Sequence, residues 1–169
     1  MPPRHRPASL FIADAMLGSL ARKLRALGFD TSYYRDGVDE GILRISKAQD
    51  RILLTSDRSL ADIAARRGTR HFLLTGENDA QRFASLAELC RSSGFTLVRG
   101  DPLCSVCGGR LVSLAKVDVS GAVPPQVFSR HRKFYRCVEC GRRYWRGSHW
   151  KKLRWFQRIL KDVTHAHEH

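Results

Sequence analysis

RILLTSDRSL, residues 51–60, decides the fold. Ile52, Leu53 and Leu54 form an apolar run too short for a helix, and they read as a buried strand spanning 51–55. Asp57 follows at the strand tip, and residues 59–66 read as a helix closed by Gly68. LFIADAML, residues 10–17, repeats the pattern. A strand over 9–13 ends at Asp14, and Met16, Leu17, Leu20, Leu24 and Leu27 recur at helical spacing until Gly28 stops the helix. TSYYR, residues 31–35, is a further strand followed by Asp36, and GVDEGILRISKAQ, residues 37–49, supplies a helix. Strands over 71–75 and 95–99 flank a helix over 79–92. Five short strands alternating with helices predict right-handed βαβ units and an α/β fold with a mostly parallel sheet over 9–100.

The composition narrows the function. The chain has 169 residues, 43% of them hydrophobic, enough for one domain plus a small module. No apolar stretch approaches the roughly 20 residues a membrane helix needs. MPPRHRPAS at the start is basic, with no long apolar segment behind it, so it does not read as a signal peptide. Residues 1–8 are expected to be a flexible lead and the protein cytoplasmic, with no membrane partner. The absence of GxGxxG and Walker A patterns leaves nucleotide cofactors without support. The net charge is +14, with +5 in residues 1–100 and +9 in residues 101–169. A charge of that size attracts polyanions, chiefly RNA, DNA and ribosomes.

Against that basic background, the acids at the strand ends stand out. Ligands of open parallel sheets bind outside the carboxyl ends of the strands. If the strands before Asp14, Asp36 and Asp57 are neighbours, three carboxylates meet on one rim, with Asp39 and Glu40 close by at the start of the next helix. Crowded carboxylates repel unless a cation intervenes. Mg²⁺ or Mn²⁺ prefers such oxygen ligands and can activate water for attack on a phosphodiester. Each Asp also reads as a helix N-cap, Glu40 as a partner of the helix dipole, and Asp62 as solvent-facing.

After Asp101-Pro102 the character changes. Cys104-Ser-Val-Cys107 and Cys137-Val-Glu-Cys140 form two CxxC pairs, each followed by glycine. Four thiolates at this spacing suit a structural zinc ion, and strands around LVSLAKV and RKFYRC suggest a zinc ribbon within residues 101–162. Cys90, on the apolar face of a helix, reads as core. The tail interleaves Tyr144, Trp145, Trp150, Trp155 and Phe156 with cations that include Arg143, Arg146 and Lys151. Aromatics stack bases and cations meet phosphates, so Arg143, Arg146, His149, Trp150 and Lys151 are candidate RNA contacts. The same tail reads as a helix over 148–161, with Leu153, Phe156, Ile159 and Leu160 packing inward.

Read together, Asp14-Ala-Met-Leu-Gly-x-Leu-Ala-Arg-x-Leu-Arg25, Arg35-Asp36, Ile-Leu-Leu-Thr-x-Asp57-Arg58, the paired CxxC motifs and Gly147-Ser-His-Trp150 resemble the Mut-seven C-terminal RNase family over about residues 10–156. The resemblance implies a PIN-like nuclease domain joined to a zinc ribbon, and metal-dependent RNA cleavage. By position it makes Asp14, Asp36 and Asp57 acidic motif residues, with Glu40 or Asp39 as the fourth acid. Arg22, Arg25 and Arg58 take basic motif positions that face substrate or brace the acids.

The expected function is that of an endoribonuclease acting on tRNA, rRNA or mRNA, with Asp14, Asp36, Glu40 and Asp57 catalytic, Mg²⁺ or Mn²⁺ at the acids and structural Zn²⁺ in the ribbon. It would leave 5′-phosphate and 3′-hydroxyl ends. The alternative is a non-catalytic RNA- or ribosome-binding protein in which the acids are caps. A homodimer and a protein regulator stay open as partners.

Overall fold

Four short parallel strands carry the main sheet, in the order β2-β1-β3-β4. The protein's structure, a computed structural model, describes residues 9–166; the lead at 1–8, expected to be flexible, lies outside them. The strands are β1 (Leu10–Ala13), β2 (Asp30–Tyr33), β3 (Ile52–Thr55) and β4 (His71–Leu73). In register, β1 pairs Ile12 with Ser32 on one side and with Leu53 on the other. The helices between them are α1 (Gly18–Ala26), α2 (Asp39–Ala48), α3 (Arg58–Arg66) and α4 (Asp79–Ser93).

Both faces of the sheet are covered, which is why β1 and β3 are apolar without alternation. Phe11, Ala13 and Leu54 pack beneath Leu20 and Leu24 of α1 and Phe83 and Leu86 of α4. On the other face Ile12 and Leu53 meet Ile42 and Leu43 of α2 and Leu60 and Ala64 of α3. The mixed α/β architecture with a parallel sheet is as the residue pattern predicts.

The fifth strand departs from that expectation. β5 (Leu97–Arg99) does not extend the main sheet; it pairs in parallel with β9 (Thr164–Ala166), joining Leu97 to Thr164. Ser9, just before β1, ties β5 to the domain. Its N–H donates to the Val98 carbonyl at 2.8 Å, while its hydroxyl accepts the Val98 N–H at 2.9 Å.

The remaining elements form a small antiparallel sheet in the order β6-β7-β8, from Leu111–Leu114, Phe134–Cys137 and Arg143–Trp145. A short helix, α5 (Pro125–Arg130), lies between β6 and β7. The last helix, α6 (Ser148–Ile159), sends Phe156 into the core shared with α1 and α4. Leu160 joins that core, and Leu153 and Ile159 pack against it. Phe156 stacks on Phe83 with ring centres 4.6 Å apart. No helix among the described residues is long and apolar enough to cross a membrane.

Candidate active site and metal centre

Because β1 lies between β2 and β3, the residues following all three strands emerge on one rim of the sheet. Asp14 comes first. Its backbone N–H still donates to Leu54 of β3 at 3.1 Å, so the residue is held at the strand tip. Its side chain is only 6% exposed. Oδ1 accepts the Met16 N–H at 2.9 Å, capping a single 3₁₀ turn (Ala15–Leu17), and Oδ2 accepts the Thr55 hydroxyl. Among the described residues no cation pairs with this buried carboxylate.

Thr55 is the joint between two acids. Its Oγ1 donates to Asp14 and accepts the backbone N–H of Asp57 at 2.9 Å. Asp57 is exposed and caps α3, its Oδ1 accepting from Ser59 N–H at 2.7 Å and Leu60 N–H at 3.4 Å. The cap reading of these two aspartates holds: each spends one oxygen on a helix start. Arg58, the first residue of α3, is exposed beside Asp57. Asp36 is exposed in the turn between β2 and α2, next to Gly37 at φ +66°.

Two tyrosines brace this rim, and the sequence reading did not single them out. The Tyr33 hydroxyl donates to the Ala15 carbonyl at 2.9 Å, one residue past Asp14. Gly18 makes room for it: a Cβ there would lie 2.9 Å from the Tyr33 ring. Tyr34 uses Gly41 in the same way, where a Cβ would meet its hydroxyl at 1.9 Å.

Glu40 goes elsewhere. It sits in the first turn of α2, exposed, and pairs with Arg67 at 2.7 Å. That hydrogen bond holds its carboxyl below the usual range. Asp39 opens α2, and Asp62 is exposed on α3. An acid that went unnoticed stands after β4. Asp79, the first residue of α4, accepts from Ser19 at 2.7 Å and from Lys23 at 2.5 Å, so it is tied to α1. Its signal in the sequence was the same as for the others, an Asp between a strand and a helix.

The four cysteines come together. Cys104 Sγ lies 3.6 Å from Cys140 Sγ, and Cys107 Sγ lies 3.4 Å from Cys137 Sγ. All four sulfurs fall within 4.8 Å of one another, too far apart for disulfides and close to the spacing of about 3.8 Å that tetrahedral Zn–S bonds near 2.3 Å impose. Gly108 and Gly141 end the two knuckles at φ +82° and +72°, which lets the chain turn back around the sulfurs. Burial opposes ionisation of Cys104, but the Cys107 N–H and the Tyr144 hydroxyl outweigh it and lower the thiol to about 6. The Gly109 N–H favours the Cys107 thiolate, yet burial and the neighbouring sulfurs push that thiol up to about 12. Four thiols this close cannot all ionise alone, and one divalent cation removes the conflict. The cluster could hold a zinc ion. It is the one group of three or more such ligands found together among the described residues; the rim acids are not gathered that tightly.

Arg25 corrects an expectation. Its place in the motif made it a residue facing substrate or bracing the acids. It is 6% exposed and faces the knuckle instead. Nε donates to the Thr31 carbonyl at 2.6 Å, and Nη1 to the carbonyls of Val106 at 2.8 Å and Ser105 at 3.4 Å. Burial lowers its pKa, an effect that the adjacent Cys107 and Cys104 sulfurs oppose. It clamps the first knuckle to β2. Cys90 is core, its thiol raised to about 11 by burial.

The other basic candidates are open. Arg22 of α1, Arg143 of β8 and Lys151 of α6 are exposed. Arg146 lies over the half-buried Trp150, its Cζ 5.1 Å from the ring centre. His149 belongs to the first turn of α6, and its side chain lies outside the described residues.

A parallel α/β sheet with aspartates after its strands is thus joined to a segment whose four cysteines could hold a zinc ion. The family described as the Mut7-C RNAse domain matches residues 9–156, and the chain belongs to that family. No curated protein and no solved structure matches it.

Proposed function

We propose that the chain is a cytoplasmic metal-dependent endoribonuclease with a PIN-like nuclease domain over residues 9–100, and that its zinc ribbon and basic helix over 101–162 aid RNA binding. The observation that carries this reading is the pair Asp14–Asp57, coupled through Thr55 at adjoining strand tips of an RNase-family chain. The donor set fits Mg²⁺ or Mn²⁺: hard oxygens, including a buried carboxylate with no cationic partner among the described residues. Asp14, Asp57 and Asp36 would hold the ion. When bound, it supplies an activated water and neutralises charge on the scissile phosphate, leaving 5′-phosphate and 3′-hydroxyl ends.

The chain's own residues do the rest. Thr55 fixes the Asp14 carboxylate, and Tyr33 fixes the turn that follows it. Arg58, beside Asp57, meets the phosphate backbone, as does Arg22 on α1. Glu40 serves α2 and α3 through Arg67 and takes no part in this reading unless that pair opens.

Asp57→Asn tests the assignment. Cleavage of a mixed RNA panel in Mn²⁺ or Mg²⁺ should be lost, while RNA binding persists. Unchanged cleavage would sink it. The looser spacing of the rim acids relative to the cysteines favours the second reading, a non-catalytic RNA-binding protein. That reading expects identical traces from both proteins and tight binding.

A further inference from the structure

A cleft of about 700 Å³ runs between α1, the ribbon sheet and α6. The pleat explains its composition. Ser113, Tyr135 and Tyr144 are paired across β6, β7 and β8, so they share one face, and this face lines the cleft. Trp145, Trp150, Leu153 and Phe156 complete the lining. The aromatic rings are half-buried rather than packed away. Tyr144 is held rigid because its hydroxyl meets Cys104 Sγ at 2.9 Å and Ser105 Oγ at 3.4 Å.

The charge is one-sided. Arg22 and Lys23 of α1 face Arg143, Arg146 and Lys152 across the opening, against Asp101 as the single acid of the lining. Such a volume suits a small ligand or a few nucleotides. Aromatic faces flanked by cations recognise stacked bases joined by phosphates. A duplex hides its base faces within its own stack, so rings of this kind can engage unpaired bases only. Lys23 also bonds Asp79, and it lies about 7.5 Å of helix rise beyond Gly18, the start of α1, which follows the 3₁₀ turn capped by Asp14. The cleft is lined by the second half of α1, and the rim precedes its start, so one helix connects the two.

We propose that this cleft binds an unpaired RNA segment, stacking its bases on Tyr135, Trp145 and Trp150, and passes the adjoining stretch along α1 to the rim. The substrate class is then single-stranded RNA. This rests on the ribonuclease reading, but its test does not need cleavage.

The probe is a fluorescein-labelled single-stranded RNA decamer of mixed sequence. It is titrated with the zinc-loaded full chain carrying Asp57→Asn and read by anisotropy beside a blunt duplex of the same length. The decamer should bind at least about tenfold tighter than the duplex. Adding Trp150→Ala should weaken decamer binding about 5- to 150-fold, the range for one base–aromatic stack, with duplex binding unmoved. Equal affinity for duplex, unchanged decamer affinity in a folded Trp150→Ala protein, or a free mononucleotide binding as tightly as the decamer would each overturn the proposal. Should Trp150→Ala fail to fold by circular dichroism, photo-crosslinking of a 5-bromouridine decamer to the Asp57→Asn chain decides. Adducts on Trp145, Trp150 or Tyr135 support the cleft, and adducts only elsewhere overturn it. Strand binding without any cutting by the unsubstituted chain would remove the nuclease and leave the cleft. Cutting without strand preference would do the reverse.

Discussion

Replacing Thr55 with valine keeps the shape of β3 and removes one oxygen. That oxygen makes two bonds, one donated to the Asp14 carboxylate and one accepted from the Asp57 N–H at 2.9 Å. Thr55 is fully buried and Asp14 6% exposed, so water does not readily take over. A hydrogen bond to a charged group is worth about 1.5–3 kcal/mol and a neutral one about 0.5–1.5 kcal/mol. The variant should therefore lose about 2–4 kcal/mol. At roughly 2–4 °C per kcal/mol for a chain of this size, the melting temperature should fall by about 5–15 °C. Cleavage, measured below the variant's melting temperature, should fall well beyond what unfolding explains, because the Asp14 carboxylate is no longer fixed relative to Asp57. Thr55→Ser restores the hydroxyl and should recover most of both. A Thr55→Val protein that melts within two degrees of the parent and cuts equally well would refute the bridge as a structural and catalytic element.

Other outcomes follow from the same structure. Cys137→Ser should lose about one equivalent of zinc and destabilise the ribbon, since metal binding is folding energy there; unchanged zinc content by atomic absorption would reject the ligand set. Arg25→Met strands the carbonyls of Thr31 and Val106, and hydrogen exchange should quicken across residues 100–110 with zinc still bound. Unaltered protection would show that the clamp is not what docks the knuckle. Asp79 is depressed below its ordinary 3.8: burial works against ionisation, but Lys23 and Ser19 outweigh it. A depressed carboxyl stabilises the fold above that pH and stops doing so as pH falls through its lower folded value. The stability gap between the parent and Asp79→Asn, read by urea denaturation, should thus be widest near neutrality and close below pH 3.8. A gap independent of pH would remove the ion pair from the account.

The strand-tip aspartates were legible because two local signals coincide, an unbroken apolar run and a residue that caps helices. The cysteines were legible because ligand spacing is written in the chain. What stayed hidden depends on contacts between distant segments. Arg25 follows the helical pattern of α1 like any surface cation, and only the return of residues 105 and 106 above it makes it a buried clamp. Thr55 reads as β-branched strand filler until β1 lies beside β3. Gly18 and Gly41 look like weak points in helices, yet each is a seat for a tyrosine, Tyr33 at the end of β2 and Tyr34 just after it. The pairing of β5 with β9 joins three-residue segments far apart in the chain, and neither carries a signal that names its partner.

Helix α1 is the element the two halves share, and its faces divide the work. Leu20, Ala21 and Leu24 are buried on the sheet. Ser19 and Lys23 reach Asp79 beside the rim, Arg22 lines the cleft, and Arg25 holds the knuckle. A change at the cysteines therefore has two routes to the cleft: through Tyr144, whose hydroxyl meets Cys104, and through the Ser105 and Val106 carbonyls on Arg25. Neither route passes through Asp14 or Thr55. The sulfur site shapes one wall of the cleft, and the Asp14–Thr55–Asp57 link is set by the ends of β1 and β3. On the proposed reading a chelator would consequently have two effects, loss of a cleft wall and loss of an ion held by the acids. They separate by ligand softness: thiolates retain zinc against Mg²⁺, whereas carboxylates exchange Mg²⁺ and Mn²⁺ freely.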